Sequence, residues 1–158
     1  MNMLMPLSDQ EIAQIDTRAK VQAIAAEMLK YPQVDCPLLH HFSPGLYIRE
    51  LHIPAGALTV GKIHKLPCQN LLAVGERTTW IIDGMRRIRA PHAHWTPPGH
   101  QRISYTHQDS VWMTFHPNSR EERNIAVLER ELFTESEEEY LEFRKFLELD
   151  ASNVRYLC

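Results

Sequence analysis

At 158 residues, 44% apolar and 23% charged, the chain suits one domain with a core and is short for two. No apolar run is long enough to span a bilayer, the opening MNMLMPLSDQ lacks the marks of a secretory signal, and three scattered cysteines make no disulfide framework. A reducing, cytoplasmic setting without a membrane partner is therefore expected. The formal charge of −3 is unevenly spread: residues 120–150 carry eleven acids against five bases (−6), residues 1–119 nine against eleven (+2), and Arg155 adds +1. An acidic tail repels phosphate, which argues against a nucleic-acid partner, while the mildly basic body admits a small anion.

Ser8-Asp9-Gln10-Glu11 has the form of a capping box. Ile12, Ile15, Ala19, Ala23 and Ala26 follow at helical spacing, so a helix is predicted over residues 9–30, ended by Pro32. Its narrow alanine stripe suits packing against another helix or a subunit. Residues 32–46 read as a loop carrying Cys36, His40, His41 and a Pro44-Gly45 turn.

Short apolar runs then recur at the spacing of an all-β sandwich or barrel, near 46–53, 57–64, 69–75, 78–82, 85–90, 92–96, 101–106 and 111–116. They are punctuated by Pro54-Ala55-Gly56, Pro67, Gly75, Asp83-Gly84, Pro91, Pro97-Pro98-Gly99, Gln108-Asp109 and Pro117-Asn118. Eight strands with short connections suit a double-sheet jelly roll. From Arg120 the pattern is helical again, with Ile125, Leu128 and Leu132 in one stripe, a second capping box at Ser136–Glu139, and Tyr140, Phe143 and Leu147 in another stripe. The acids of this tail read as a solvated helix face.

The run G-x-x-x-x-G-K-I-H-K from Gly56 to Lys65, then Gly75, the Asp83-Gly84 hairpin, Ala90-Pro91 and Pro97-Pro98-Gly99, resembles a cupin domain. With His41-Phe42-x-x-Gly45-x-Tyr47-x-Arg49-Glu50 before it and Asp109-Ser-Val-Trp112-x-x-x-His116-Pro117 after it, the likeness is to the small cupin-like proteins of tailed bacteriophages and prophages. It implies a mainly β fold: a single cupin-like jelly-roll barrel over 38–118, preceded by a helix and loop (1–37) and followed by an acidic helical segment (119–158), in one compact domain. It further implies a homodimer or higher oligomer, in the cytoplasm of a host cell or in a virion.

The cupin motif H-x-H, three residues, E, six residues, G, counted back from Gly75, puts Cys68 at the glutamate, His64 at the second histidine and Lys62 at the first. The second motif puts Arg102 at the last metal-binding histidine. The resemblance therefore implies a cavity holding Lys62, His64, Cys68 and Arg102, with Tyr105 as a further ligand-binding residue. Two cations and an imidazole suit a carboxylate or phosphate. His64 is the expected general base, and His64 with Cys68 could hold zinc, iron, nickel or manganese, given a third donor from His92, His94 or His100. Arg86, Arg87 and Arg89 with Arg77 read as a solvated edge hairpin. The competing expectation is a structural or host-interaction protein that uses the barrel as an oligomeric scaffold.

Overall fold

A computed structural model describes residues 2–4, 18–81 and 84–150. In chain order the elements are β1 (Asn2–Leu4), α1 (Arg18–Met28), β2 (Leu38–Ser43), β3 (Gly45–Ile53), β4 (Ala57–His64), β5 (Cys68–Ile81), β6 (Gly84–Arg89), β7 (His92–Thr96), β8 (Gln101–Asn118), α2 (Ile125–Leu132), β9 (Phe133–Thr134) and α3 (Glu137–Asp150). The nine described strands form one antiparallel sheet curled into a half-barrel, so the fold is mainly β with helices before and after the sheet. The first capping box and Asp83 lie outside the described residues. Among those described, no helix is long and apolar enough to cross a membrane.

Two long strands shape everything else. β5 and β8 pair with each other along most of their length and bend together. Beyond the bend on one side, β8 carries β3 and β2 on its far edge while β5 carries β7. On the other side β8 carries β4 and β1, and β5 carries β6. The sequence pattern had suggested two strands in each case, broken at Gly75 and at Gln108-Asp109. These positions are bends: the β5–β8 register shifts three times between Leu72 and Arg77, and Gly75 has φ +90°. Bulges bend a strand without ending its pairing. A side chain at Gly75 would also collide with the backbone of Asp109 and Ser110, which fixes glycine at the corner.

Two further expectations are corrected. Residues 38–43 are strand β2 and not loop: Leu38, His40 and Phe42 are half-buried while Leu39, His41 and Ser43 are exposed, the alternation of a sheet edge. Helix α1 packs on the sheet and not on another helix, with Val21, Ala25 and Met28 enclosed against Leu58, Val60 and Ile103.

The C-terminal segment closes one end of the curl. Asn124 caps α2, its Oδ1 accepting from the backbone N–H of Ala126 and Val127 at 3.0 and 3.4 Å. Leu128, Leu132 and Phe133 then pack on Tyr47. Strand β9 pairs with the end of β4, setting Phe133 opposite His64. Ser136 Oγ accepts from the Glu139 N–H at 3.2 Å, as a capping box requires, while the Glu139 carboxylate takes the N–H of Glu135 at 3.0 Å.

Candidate functional site

Register decides which side chains face inward. On β3 the odd positions point in, and on the paired half of β8 the even ones do, as their burial pattern shows. Arg49, Thr114, Asn70 and His94 therefore lie in one row across four strands, and Leu51, Trp112, Leu72 and His92 in the next. Gln69 stands opposite Phe115, so Cys68 and His116 are neighbours one step further on. His64 reaches the same end from β4. Its backbone is pinned by the 97–100 turn, its N–H donating to the His100 carbonyl at 3.0 Å and its carbonyl accepting from the Gly99 N–H at 2.7 Å.

His64, Cys68 and His116 make one buried cluster. Each offers a nitrogen or sulfur, and the three donor atoms lie within 4.8 Å of one another. His64 Nδ1 and Cys68 Sγ are 3.4 Å apart. Both ring nitrogens of His116 are enclosed without a hydrogen-bond partner. Burial, reinforced by Arg102 and His116, holds the His64 imidazole well below its ordinary basicity. Burial followed by the charge of Arg49 takes His116 to about 3. Both rings are thus neutral at physiological pH, the form that binds metal. Burial raises the Cys68 thiol, with Arg102 pulling the other way.

Asn70 links this cluster to the cations. Its Nδ2 donates to Thr96 Oγ1 at 2.7 Å and, at 3.8 Å, to Cys68 Sγ; its Oδ1 accepts from Arg102 at 3.1 Å and from Thr114 at 3.3 Å. Arg102 also donates to Thr96 at 2.7 Å, and its guanidinium lies 4.6 Å from the centre of the Trp112 ring. A cavity of about 240 Å³ opens beside them, lined by Arg49, Leu51, Val60, Lys62, Trp112 and Phe133 among others. Phe133 stands between this cavity and the histidines, edge-on to His64 at 5.1 Å and to His116 at 5.5 Å, with Arg49 over its face at 4.9 Å.

The structure brings His64, Cys68 and Arg102 together, keeps Lys62 on the cavity that Arg102 also lines, and sets Tyr105 apart. Lys62 lies at the cavity rim, its ammonium 2.7 Å from Glu135 and 3.6 Å from Glu129. Tyr105 faces away from the interior and packs in the cluster covered by α1. It has an odd position on β8, where Arg102, Trp112 and His116 are even.

The expected sources of a third donor also need correction. His100 turns outward, its Nε2 2.8 Å from the Trp80 carbonyl, and His94 sits against Trp112 at 5.4 Å. The third donor in the cluster is His116. Arg102 and His116 both hold even, inward positions on the one strand β8, a relation hidden by reading a turn at Gln108-Asp109 and by the register shifts between them. Arg77 leaves the surface hairpin too. It is 2% exposed, donating to Thr59 at 2.6 Å and Thr106 at 3.2 Å, while Arg87 and Arg89 hold Glu76 at 2.6 and 3.1 Å.

No protein-family model matches the sequence, and neither does any curated protein. Solved structures that align with it include cupin domains. A cupin-2 domain protein from Shewanella frigidimarina is 8% identical, covering 60% of this chain and 92% of its own, with a TM-score of 0.42. The cupin domain of an XRE-family transcriptional regulator from Enterobacter cloacae is 11% identical, covering 52% and 98%, at 0.45. A cupin domain from Bordetella pertussis is 10% identical, covering 56% and 98%, at 0.42.

Proposed function

We propose that the protein binds a small anionic molecule inside its barrel, next to an atypical metal centre formed by His64, Cys68 and His116. The supporting observation is that buried cluster of two imidazoles and a thiol, in which neither His116 nitrogen has a partner. Three N/S donors suit zinc, and the same set is compatible with iron or nickel. All-oxygen sites suit manganese better, so it fits this donor set least. A metal held there by His64, Cys68 and His116 would supply Lewis-acid chemistry. His64 serves this arrangement better as a ligand than as a free general base, since burial holds its basicity well below the ordinary value and leaves it a weak proton acceptor. Arg102 holds Thr96 and Asn70 in place and presents positive charge to the cavity. The phage-type origin expected from the resemblance is compatible with this reading, which does not depend on it.

Elemental analysis of protein purified without a histidine tag tests the centre. About one equivalent of a transition metal is expected, and less than about a tenth overturns it, since such sites bind tightly.

A second reading, an oligomeric scaffold, draws on the opposite face of the same strands. Ile48, Phe115, Gln69 and Trp95 form one outward row, and Glu50, Met113, Leu71 and Ala93 the next. Trp95 on this face is 46% exposed. Five strands about 4.8 Å apart and up to nine residues long present roughly 24 by 30 Å. That approaches the ~800 Å² per partner of a stable interface, which favours a second copy of this chain. Sedimentation should then show a dimer that Phe115→Asp converts to monomer; a monomeric parent protein would refute it.

A further inference from the structure

The geometry points to a carboxylate subsite beside the cluster, where the unpaired N–H groups of Arg102 and Trp112 grip the anionic end of a small ligand and the ligand's apolar body fills the adjoining cavity. This rests on reading the interior as a ligand site, and it holds whether or not a metal is bound.

Three observations carry it. The first is unmet donors. Arg102 Nε and Trp112 Nε1 are both enclosed with nothing to donate to, and Trp112 is only 4% exposed. Neither atom can accept a hydrogen bond, so the missing partner has to be an acceptor. His94, stacked obliquely on the same indole 5.4 Å away, also has both ring nitrogens enclosed and unpartnered, and as a neutral ring it offers one more N–H.

The second is unmet charge. Arg77 and Arg102 lie over one indole, 5.2 and 4.6 Å from its centre. Their hydrogen bonds run to Thr59 and Thr106, and to Thr96 and Asn70, all of them neutral. The nearby carboxylate, Glu129, is taken by Arg49 at 3.0 Å and by Lys62. Burial, with Arg102 adding repulsion, draws Arg77 down to about 9, and burial draws Arg102 to about 10. An enclosed cation without a counter-ion is costly, and a bound anion removes that cost.

The third is the shape of the space. Beyond Arg102 and Trp112 the cavity wall has an apolar part, Leu38, Leu51, Val60 and Phe133, and a polar part, Thr114 with Arg49 and Lys62, whose charges are already met by Glu129. A ligand charged at one end and apolar along its body fits that wall. A phosphate dianion would need donors all round it. Arg102's planar fork suits a carboxylate, and an apolar or aromatic body suits the two rings.

Benzoate is a suitable probe, with benzamide as its uncharged isostere and inorganic phosphate as the rival anion. Each is titrated into protein as purified and after metal removal with a chelator, following heat and Trp112 fluorescence. Saturable benzoate binding is expected in both states, with benzamide at least tenfold weaker. Arg102→Met should weaken benzoate tenfold or more and raise the melting temperature of the free protein, because an unpaired cation has gone. Trp112→Phe, which keeps the ring and deletes the N–H, should weaken it several-fold and guards against loss of folding in the arginine variant.

Equal binding of benzoate and benzamide, preference for phosphate, or no binding at all would overturn the subsite. So would an Arg102→Met protein that melts lower and binds benzoate unchanged, since the arginine would then be structural. Benzoate binding that vanishes with the metal would place the anion on the metal and sink the subsite while leaving the centre intact. Persistent binding in protein that never held metal would do the reverse.

Discussion

Around Arg77 the interior closes its own hydrogen bonds, whereas around His116 it leaves them open. In the first neighbourhood Arg77 donates to two threonines, and Thr79 and Ser104 share a 2.6 Å hydrogen bond across β5 and β8. In the second, nitrogens of His116 and His94, Arg102 Nε and Trp112 Nε1 are all sealed from water with no partner. Both regions share the inner face of β8, the first with β4 and β5 and the second with β7. Buried polar groups are normally paired, so the closed set reads as architecture and the open set as a place for something else.

The contrast can be broken most sharply at the cluster. Cys68→Ala or His116→Ala should lower zinc affinity by roughly a hundredfold or more, measured by competition with a chromophoric chelator, because even outer-shell partners are worth about 10–100-fold. Unchanged affinity would mean that the open set is not a metal site.

The corner joining the two neighbourhoods comes next. Gly75→Ala should cost about 1–3 kcal/mol of unfolding free energy in urea, because φ is +90° and the added carbon meets the neighbouring backbone. Within the closed set, Thr59→Val strands one Arg77 N–H and should cost about 1–3 kcal/mol. In metal-free protein, His116→Phe removes two unpaired nitrogens and should change stability by less than about 1 kcal/mol. If the valine variant is harmless and the phenylalanine variant severe, the comparison has been drawn backwards.

A gentler probe is pH. His116 and His94 are held to about 3 and about 4 in the folded chain, mainly by burial, against an ordinary 6.5. Below pH 6.5 the unfolded chain takes up protons that the folded one refuses. Metal-free stability should therefore fall as pH drops from 6.5 toward 4, with a limiting slope of about 1.4 kcal/mol per pH unit for each such histidine. The urea midpoint measured across that range should flatten in His116→Phe.

Much of this was legible in the sequence. The bounds of β4 and β7 follow from their punctuation, and counting from Gly75 finds Cys68 and His64 as neighbours in the interior. Two kinds of information were hidden. A glycine with positive φ marks a turn and a bulged corner equally well, so β5 and β8 each looked like two strands and the shared face of Arg102 and His116 went unseen. Arg77 sits among arginines that are exposed on the next strand, and three register shifts between Leu72 and Arg77 turn it inward. Alternation cannot be counted through such a region. Likewise, residues 38–43 lack the apolar run of a central strand because β2 is an edge whose inner positions include a histidine.

Phe133 has a practical consequence for anyone trimming this protein. Carried on a strand of two residues between two acidic helices, it roofs both imidazoles. Cutting the chain at the end of the β-sheet would look harmless on a domain diagram. It would strip the insulation from the histidines, flood the chamber and let them regain basicity, so a shortened protein that fails to hold its ligand would say nothing against the full-length one.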